Sequence, residues 1–125
     1  TLYCTILRAR DLAAMDAQGL SDPFCKINII TPENTIRHTR WQKSRIAHKT
    51  TNPEFNETFT FLGMSMDDIN GSSIYVVLLD DDKYGNDFLG SAKIAMFGVK
   101  ICTTHLIRFI SFAFSSSSSY TDCQL

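Results

Sequence analysis

The chain has 125 residues, of which 44% are hydrophobic and 20% are charged. This length and composition fit one globular domain with an ordinary core and exclude an intrinsically disordered chain. The formal net charge is −1, which lacks the basic excess typical of nucleic-acid-binding proteins. No apolar run reaches the roughly 18 to 20 residues that a membrane-spanning helix needs. The first residue is Thr1 rather than methionine, which predicts a piece of a longer protein.

Short stretches of alternating polar and apolar residues, separated by turns, predict an all-β sandwich. Six strands are predicted in chain order, at residues 1–8, 22–30, 42–49, 55–61, 73–79 and 88–96. The strand at 73–79 is apolar on both faces, as expected of a central strand. One capped helical turn is predicted at 65–69, where Ser65 is the cap and Asp68 is its partner.

The last part of the chain has a different composition. Residues 106–114 are apolar and β-prone, and they are either a last strand or a segment prone to aggregation. Residues 115–119 are all serine, which predicts a flexible end. The predicted domain therefore covers residues 1–100, followed by an atypical tail at 101–125.

The cysteines and histidines give no sign of catalysis. The four cysteines are scattered without a CxxC pair, which favours free thiols and a reducing, cytoplasmic setting. Cys4 and Cys25 fall at apolar strand positions, where cysteine acts as a small hydrophobic residue. The histidines are not arranged with a nucleophile or an acid, and there is no GxSxG motif. An enzyme is not predicted.

Aspartates are concentrated in two short segments that adjoin predicted strands, as Asp16 and Asp22 and then as Asp80, Asp82 and Asp87. Strand ends of a sandwich gather at its two poles, so the two loops could meet at one pole. Clustered carboxylates repel one another, and a hard divalent cation removes that repulsion. Ca²⁺ accepts about six to eight oxygens in flexible geometry, whereas Mg²⁺ requires a tighter octahedron. The alternative is that these aspartates are ordinary turn residues in solvated loops.

Three separated motifs occur in an order that resembles the C2 domain signature. They are Met15-Asp16-x-x-Gly19-x-Ser21-Asp22-Pro23-Phe24, then Asn52-Pro53-x-Phe55-Asn56-Glu57, then Asp80-x-Asp82-Lys83-Tyr84-Gly85 with Asp87-Phe88-Leu89-Gly90. The resemblance covers about residues 1–100. The opening, LYCTILRARDLAAMDAQGLSDPF, most resembles the first C2 domain of rabphilin and the double-C2 proteins, which are relatives of the synaptotagmins.

The resemblance implies an eight-stranded antiparallel Greek-key sandwich that lacks its first strand here and has an atypical last strand. It implies that Ca²⁺ is bound at one pole by five side chains and two backbone carbonyls. The side chains are those of Asp16, Asp22, Asp80, Asp82 and Asp87, and the carbonyls are those of Met15 and Asp81. Two positions depart from the pattern: the third loop is one residue shorter before Asp87, and Gly85 matches a serine ligand of some relatives.

Two surfaces are candidates for contact with membranes. At the predicted loop tip, the Tyr84 ring could enter the membrane interface and Lys83 could contact phosphate. The second surface is the predicted strand at 42–49, in which alternation places Lys43 and Arg45 on one face, with Arg40 and Lys49 nearby. Relatives use such a strand for phosphoinositides, so the resemblance implies these as its ligands. The alternatives are an ordinary exposed tyrosine and a solvated strand face. Trp41 has no predicted role.

The first functional hypothesis is a Ca²⁺-dependent module that binds anionic phospholipids, namely phosphatidylserine and phosphoinositides. Such a module would be a cytoplasmic, peripheral membrane protein of vesicle trafficking or exocytosis. SNARE or Rab-related proteins are further candidate partners. One alternative is a Ca²⁺-independent C2 domain that binds proteins, and another is a C2 module that regulates a larger enzyme. Nucleic acid is not expected as a partner.

Overall fold

The structure is a computed structural model, and it describes residues 1–38, 40–97, 102–104, 107–115 and 119–122, with the backbone alone from 102 onward. Within these residues the chain forms nine strands and one helix. In chain order they are β1 (Leu2–Arg10), β2 (Pro23–Ile30), β3 (Gln42–Lys43), β4 (Glu54–Phe61), α1 (Met66–Gly71), β5 (Ser73–Asp82), β6 (Gly85–Ala95), β7 (Cys102–Thr104), β8 (Ile107–Ser115) and β9 (Ser119–Asp122).

The strands form two sheets. One has the order β4-β1-β8-β7, with β9 also paired to β8, and the other has the order β3-β2-β5-β6. Among the described strands, every pair is antiparallel except β1 with β8, which run parallel. The predicted all-β, antiparallel sandwich is confirmed, and β5 is a central strand as its apolar faces indicated.

The core lies between the sheets and is built from the inward-facing residues of alternating strands. From β1 and β4 it takes Leu2, Cys4, Ile6, Phe55, Phe59 and Phe61, and from β2 and β5 it takes Cys25, Ile27, Ile29, Ile74, Val76 and Leu78. Alternate residues of a strand point to opposite faces. The side chains between these core positions therefore lie on the outer surfaces of the sheets, where the site residues are sought.

Strand β1 is paired along both of its edges. It pairs with β4 from Leu2↔Phe61 to Arg8↔Glu54 and with β8 from Leu2↔Arg108 to Arg10↔Ser115. Of the apolar segment at 106–114, residues 107–114 belong to strand β8, while its predicted tendency to aggregate stays a prediction. Residues 116–118 of the serine run lie outside the described residues, so their predicted flexibility stays a prediction.

The predicted strand at 42–49 is wrong in its length, because only Gln42–Lys43 is regular strand. Beyond Lys43 the chain still follows β2, since the N–H groups of residues 44, 47 and 50 donate to the carbonyls of residues 25, 23 and 21. These donors recur every three residues, whereas a regular strand offers its N–H to one neighbour every second residue. Lys49 also has a φ of 51°, outside the β region.

Helix α1 is confirmed and extends beyond the predicted turn. The Ser65 side chain accepts the Asp68 N–H at 3.1 Å, and the Asp68 carboxylate accepts the Ser65 N–H at 2.9 Å. This reciprocal capping box satisfies two donors at the helix start. Ile69 is the residue of the helix that enters the core.

Candidate functional site

The end of β5 and the start of β2 bring two of the predicted ligands together. Pro23 lies opposite Asp80 in the sheet. The Asp22 N–H donates to Asp80 Oδ1 at 2.7 Å, and the Asp81 N–H donates to the Asp22 carbonyl at 2.9 Å. The two acidic segments of the sequence therefore adjoin at one pole of the sandwich, which is called the acidic pole below.

Three carboxylates share one face of the β5–β6 hairpin. Asp80 lies opposite Asp87, and Asp82 lies opposite Gly85. Directly opposite residues of an antiparallel pair point to the same face, as do residues two apart on one strand. Asp80, Asp82 and Asp87 consequently face the same way, and Asp81, between two of them, faces the other. Asp80 is only 7% exposed, whereas Asp82 and Asp87 are exposed.

The loop between β1 and β2 carries Asp16 and is held by its own polar groups. Asp16 Oδ1 accepts the N–H groups of Gln18 at 2.9 Å and Leu20 at 2.8 Å. The N–H groups of Met15 and Asp16 both donate to the Leu20 carbonyl. Gly19 completes the turn with a φ of 77°, a conformation that glycine adopts without strain. Asp16 and Met15 are exposed at the surface of this loop.

Four of the five carboxylates use one oxygen to hold the backbone. Besides Asp16 and Asp80, Asp22 Oδ1 accepts the Lys49 N–H at 2.7 Å and Asp82 Oδ1 accepts the Tyr84 N–H at 3.4 Å. Among the described residues, no donor reaches the second oxygen of these four groups. Each carboxylate is thus positioned by one oxygen and offers the other as a hard ligand, which fits the chemistry of Ca²⁺.

Asp80, Asp82 and Asp87 lie on the β5–β6 hairpin, whereas Asp16 lies in the loop between β1 and β2 and Asp22 lies directly before β2. Within the described part of the chain, no three His, Cys, Asp or Glu side chains are grouped closely enough to hold a metal ion. The donor set therefore fits calcium in its chemistry, while ion binding requires the carboxylates to move closer together. Exposed carboxylates, such as those of Asp16, Asp82 and Asp87, have the freedom to do so.

The tip of the β5–β6 hairpin is exposed and partly apolar. Tyr84 is 87% exposed, and Lys83 Nζ lies 5.4 Å from the centre of its ring. Sequence reasoning missed Phe88, which is 63% exposed although it was placed at the start of a strand. It lies opposite Leu79 on β5, beside Asp87. The signal that could have found Phe88 is its position next to the last predicted ligand.

In place of the predicted basic strand face, the structure has a pair of neighbouring lysines, one of which the sequence reasoning missed. Lys43 lies directly opposite Lys26 of β2, so both side chains leave the same outer face. Lys26 Nζ lies 4.7 Å from the Trp41 ring centre, and Trp41 packs edge-on against Tyr75 at 5.7 Å. Trp41 therefore supports this lysine pair. Alternation along β2 predicts that Lys26 points outward. Which residue lies beside it depends on the register between β2 and β3.

The other basic residues of that segment lie in different places. Arg45 forms an ion pair with Glu57 at 3.4 Å and donates to the Phe55 carbonyl at 2.7 Å. Lys49 lies at the acidic pole through its hydrogen bond to Asp22. Arg40 lines a groove near the ends of β3 and β4. The sequence predicts Lys43 and Arg45 on one strand face with Arg40 and Lys49 nearby, whereas in the structure Arg45 pairs with Glu57 and Lys49 adjoins Asp22.

The sequence resembles known proteins over most of its length. Residues 1–105 match the family described as the C2 domain. Rabphilin-1 of Caenorhabditis elegans is 41% identical over 91 residues, which are 73% of this chain and 8% of that protein. Synaptotagmin 1 of Drosophila melanogaster is 30% identical over 111 residues, which are 88% of this chain and 21% of that protein. The chain therefore spans a minor part of the length of these relatives.

Solved structures give the same fold. A C2 domain of RIM from Drosophila has a TM-score of 0.65 at 22% identity, over 94% of this chain and 81% of that chain. The calcium-bound pair of C2 domains of extended-synaptotagmin 2 has a TM-score of 0.51 at 25% identity, over 72% of this chain and 32% of that chain. No helix among the described residues is long and apolar enough to cross a membrane. The predicted family is confirmed: the chain belongs to the C2 domain family.

Proposed function

We propose that this chain is a Ca²⁺-dependent phospholipid-binding module that docks on anionic membranes. The observation that carries the proposal is the junction of Asp22 and Asp80, which joins the two acidic segments at one pole. Asp16, Asp22, Asp80, Asp82 and Asp87 would supply side-chain oxygens to the ion, and Met15 and Asp81 would supply carbonyls. The calcium-bound state of the extended-synaptotagmin 2 domains supports calcium as the ion of the proposal.

The bound ion would supply positive charge to a pole that is otherwise negative. The carboxylates of the β5–β6 hairpin share one face, so their mutual repulsion and their repulsion of anionic headgroups act at the same place. A bound cation cancels this negative charge, and binding of the pole to an anionic membrane surface becomes favourable. Ion and lipid then bind with reciprocal coupling, because each raises the affinity of the other by the same factor.

The exposed hairpin tip is the part of the molecule that first meets the membrane in this proposal. Tyr84 carries an amphipathic ring at the tip, and such rings prefer the boundary between apolar and polar phases. Lys83 lies beside it and donates to lipid phosphate. Phe88 adds apolar surface on the adjoining strand, and Lys49 adds positive charge near Asp22.

Co-sedimentation with phosphatidylserine vesicles in Ca²⁺ and in chelator tests the proposal. We expect the chain to sediment with vesicles in Ca²⁺ alone and this binding to fall at least about tenfold in Asp80→Asn and Asp82→Asn, because each loses a charged ligand. Asp67→Asn is the matched control, since Asp67 is an exposed acid of α1 and lies outside the acidic pole. Equal binding in Ca²⁺ and chelator would instead favour a Ca²⁺-independent interaction domain.

The lysine pair is the second proposed lipid surface, and its ligands are phosphoinositides. Two like charges directly opposite in a sheet destabilise it, and a phosphorylated headgroup between Lys26 and Lys43 relieves this repulsion. The substitution Lys26→Ala with Lys43→Ala is expected to weaken binding to phosphoinositide vesicles about tenfold or more. Calcium uptake, measured by calorimetry, stays unchanged. Unaltered vesicle binding would leave the pair as plain surface, and Lys93→Ala, compared with Lys26→Ala alone, is the control for the loss of one charge.

The proposed cellular setting is based on the similarity to rabphilin-1 and synaptotagmin 1. We place the module in the cytoplasm, peripheral to vesicle or plasma membranes, in vesicle trafficking or exocytosis. Candidate protein partners are SNARE or Rab-related proteins. The alternative of a C2 module that regulates a larger enzyme shares the same lipid chemistry, so identification of the neighbouring domains in the complete protein separates it from the first.

A further inference from the structure

The two sheets expose neighbouring edges at β3 and β4, and side chains close the seam between them. Gln42 Nε2 donates to the Thr60 carbonyl at 2.8 Å. The Arg45 N–H donates to Glu57 Oε1 at 2.9 Å, and its guanidinium donates to the Phe55 carbonyl. Capping of unpaired edge carbonyls in this way protects an edge strand from pairing with other chains. Side chains therefore cover the gap between the edges of β3 and β4 from Arg45 to Gln42.

Beyond Gln42 the seam opens into a groove of about 540 Å³. Its lining residues come from the segment before β3 and from the end of β4, and they are Arg37, His38, Arg40, Gln42, Thr60, Phe61 and Leu62. The His38 carbonyl accepts from Asn28, which is six residues along from Asp22. At the rise of a β-strand, this places the groove roughly 20 Å from the acidic pole.

The groove is cationic and has an apolar side. Arg37 is held by the Gly63 carbonyl at 3.4 Å and by Asp68 at 3.8 Å. Arg40 is exposed and has no ion-pair partner among the described residues. Leu62 is 70% exposed. In the part of the chain that the structure describes, no acidic side chain belongs to the lining, so the local field favours an anionic ligand.

One buried polar atom of the lining lacks a partner. His38 Nε2 is buried without a hydrogen bond to any described residue, and such an atom is costly to leave unpaired. Burial and the neighbouring Arg37 lower the pKa of His38, so the ring is neutral at pH 7 and the positive charge of the groove comes from the arginines.

We infer that this groove is a docking site for an acidic segment of a partner polypeptide. Carboxylates of the segment pair with Arg40, and an adjacent apolar side chain packs on Leu62. A peptide is favoured over a membrane because the groove lies at the end of the sandwich away from the acidic pole, which is the proposed membrane-docking end. The charge complementarity of the groove does not depend on calcium, so peptide binding in chelator is tested separately, while the choice of a peptide over a membrane rests on the proposed function.

Fluorescence anisotropy with two labelled model peptides tests the inference on the full 125-residue chain. One peptide has the sequence Glu-Leu-Glu-Glu-Leu-Glu, and the other has glutamine in place of each glutamate. The chain is expected to bind the acidic peptide in chelator and to bind the neutral one at least about tenfold more weakly. Arg40→Glu should weaken acidic-peptide binding by about tenfold or more, and Leu62→Ser should weaken it less.

Lys93→Glu is the matched control, because Lys93 is exposed on β6 and is not part of the groove lining. It makes the same change in net charge, and thermal unfolding by circular dichroism checks that each variant is folded. Equal weakening by Arg40→Glu and Lys93→Glu, or no difference between the peptides, overturns the inference. It is also overturned if Arg40→Glu reduces binding to phosphatidylserine vesicles while peptide binding is unchanged, because the groove is then a lipid surface.

Discussion

At the scale of single residues, the two cysteines whose side chains the structure describes illustrate how burial decides chemistry. Cys4 and Cys25 have no exposed surface and lie in the core, on strands of different sheets. Burial raises the pKa of both thiols, that of Cys25 to about 12, because a thiolate loses its hydration in the core. The thiolate is the reactive form, so both residues serve as small hydrophobic side chains, as predicted.

We predict that these thiols react with Ellman's reagent only when the protein unfolds. In a chain with Cys102→Ser and Cys123→Ser, labelling near pH 8 should be at least about a hundredfold slower for the native protein than in denaturing guanidinium chloride. The reason is that reaction requires opening of the core before the thiolate can form. Rapid labelling of the native chain would show that one of the two thiols is accessible.

At the scale of elements, the stability of helix α1 depends on the capping of its first turn more than on its length. It has only 6 residues, and short helices are marginal without capping or packing. The pKa of Asp68 lies below its ordinary value of 3.8. The largest cause is the hydrogen bond from the Ser65 N–H, and the Ser65 hydroxyl and the charge of Arg37 act in the same direction. The charged carboxylate is thus the form that the folded state prefers.

The capping box gives a prediction about stability and its pH dependence. Ser65→Ala should lower the free energy of unfolding by about 1 kcal/mol, the usual effect of losing an N-cap. Since the folded-state pKa of Asp68 is lowered, its contribution is present above the unfolded pKa and is lost as pH falls through the folded value. The difference in urea unfolding between wild type and Asp68→Asn should therefore be present at pH 6 and shrink as the pH falls below the ordinary value of 3.8.

Asp67→Asn is the control for this experiment, because Asp67 is in the same turn but outside the capping box. It should show a smaller difference from wild type, with little change over the same pH range. A difference between wild type and Asp68→Asn that is equal at pH 6 and pH 3 would contradict the ionised cap.

At the scale of the whole molecule, the sandwich depends on how β1 is paired. Strand β1 supplies Leu2, Cys4 and Ile6 to the core, and its two edges are covered by β4 and β8. An uncovered strand edge offers unpaired backbone groups to other chains. The parallel β1–β8 pair therefore links the last part of the chain to the core sheet.

We predict that removal of residues 98–125 destabilises the fold and promotes self-association. The shortened chain loses β8 and so leaves one edge of β1 open, and its midpoint of thermal unfolding should fall by more than about 5 °C. Deletion of 119–125 is the matched control, because it removes β9 and leaves β8 on β1. Size-exclusion chromatography with light scattering would report the aggregation, and a monomeric, equally stable chain without 98–125 would refute the prediction.

The strands β1, β2, β4, β5 and β6 and the cap of α1 could be predicted from the sequence, because alternation and capping are local patterns. The motif order likewise identified the C2 family, and the candidate ligands were chosen from it. What local pattern cannot supply is register, since each strand's neighbours are set by distant segments. Register places Lys26 opposite Lys43 and Asp80 opposite Asp87.

The segment after β3 is the clearest case of tertiary structure overriding the local pattern. Residues 44–50 alternate plausibly in sequence, yet their hydrogen bonds to β2 recur every third residue and Asp22 holds the Lys49 N–H. The groove beside Arg40 likewise joins two segments, at 37–42 and 60–62, that are about twenty residues apart in sequence. The sequence by itself determined which residues face inward and where the acids cluster. The tertiary structure decided which outward residues become neighbours, because long-range pairing sets those contacts.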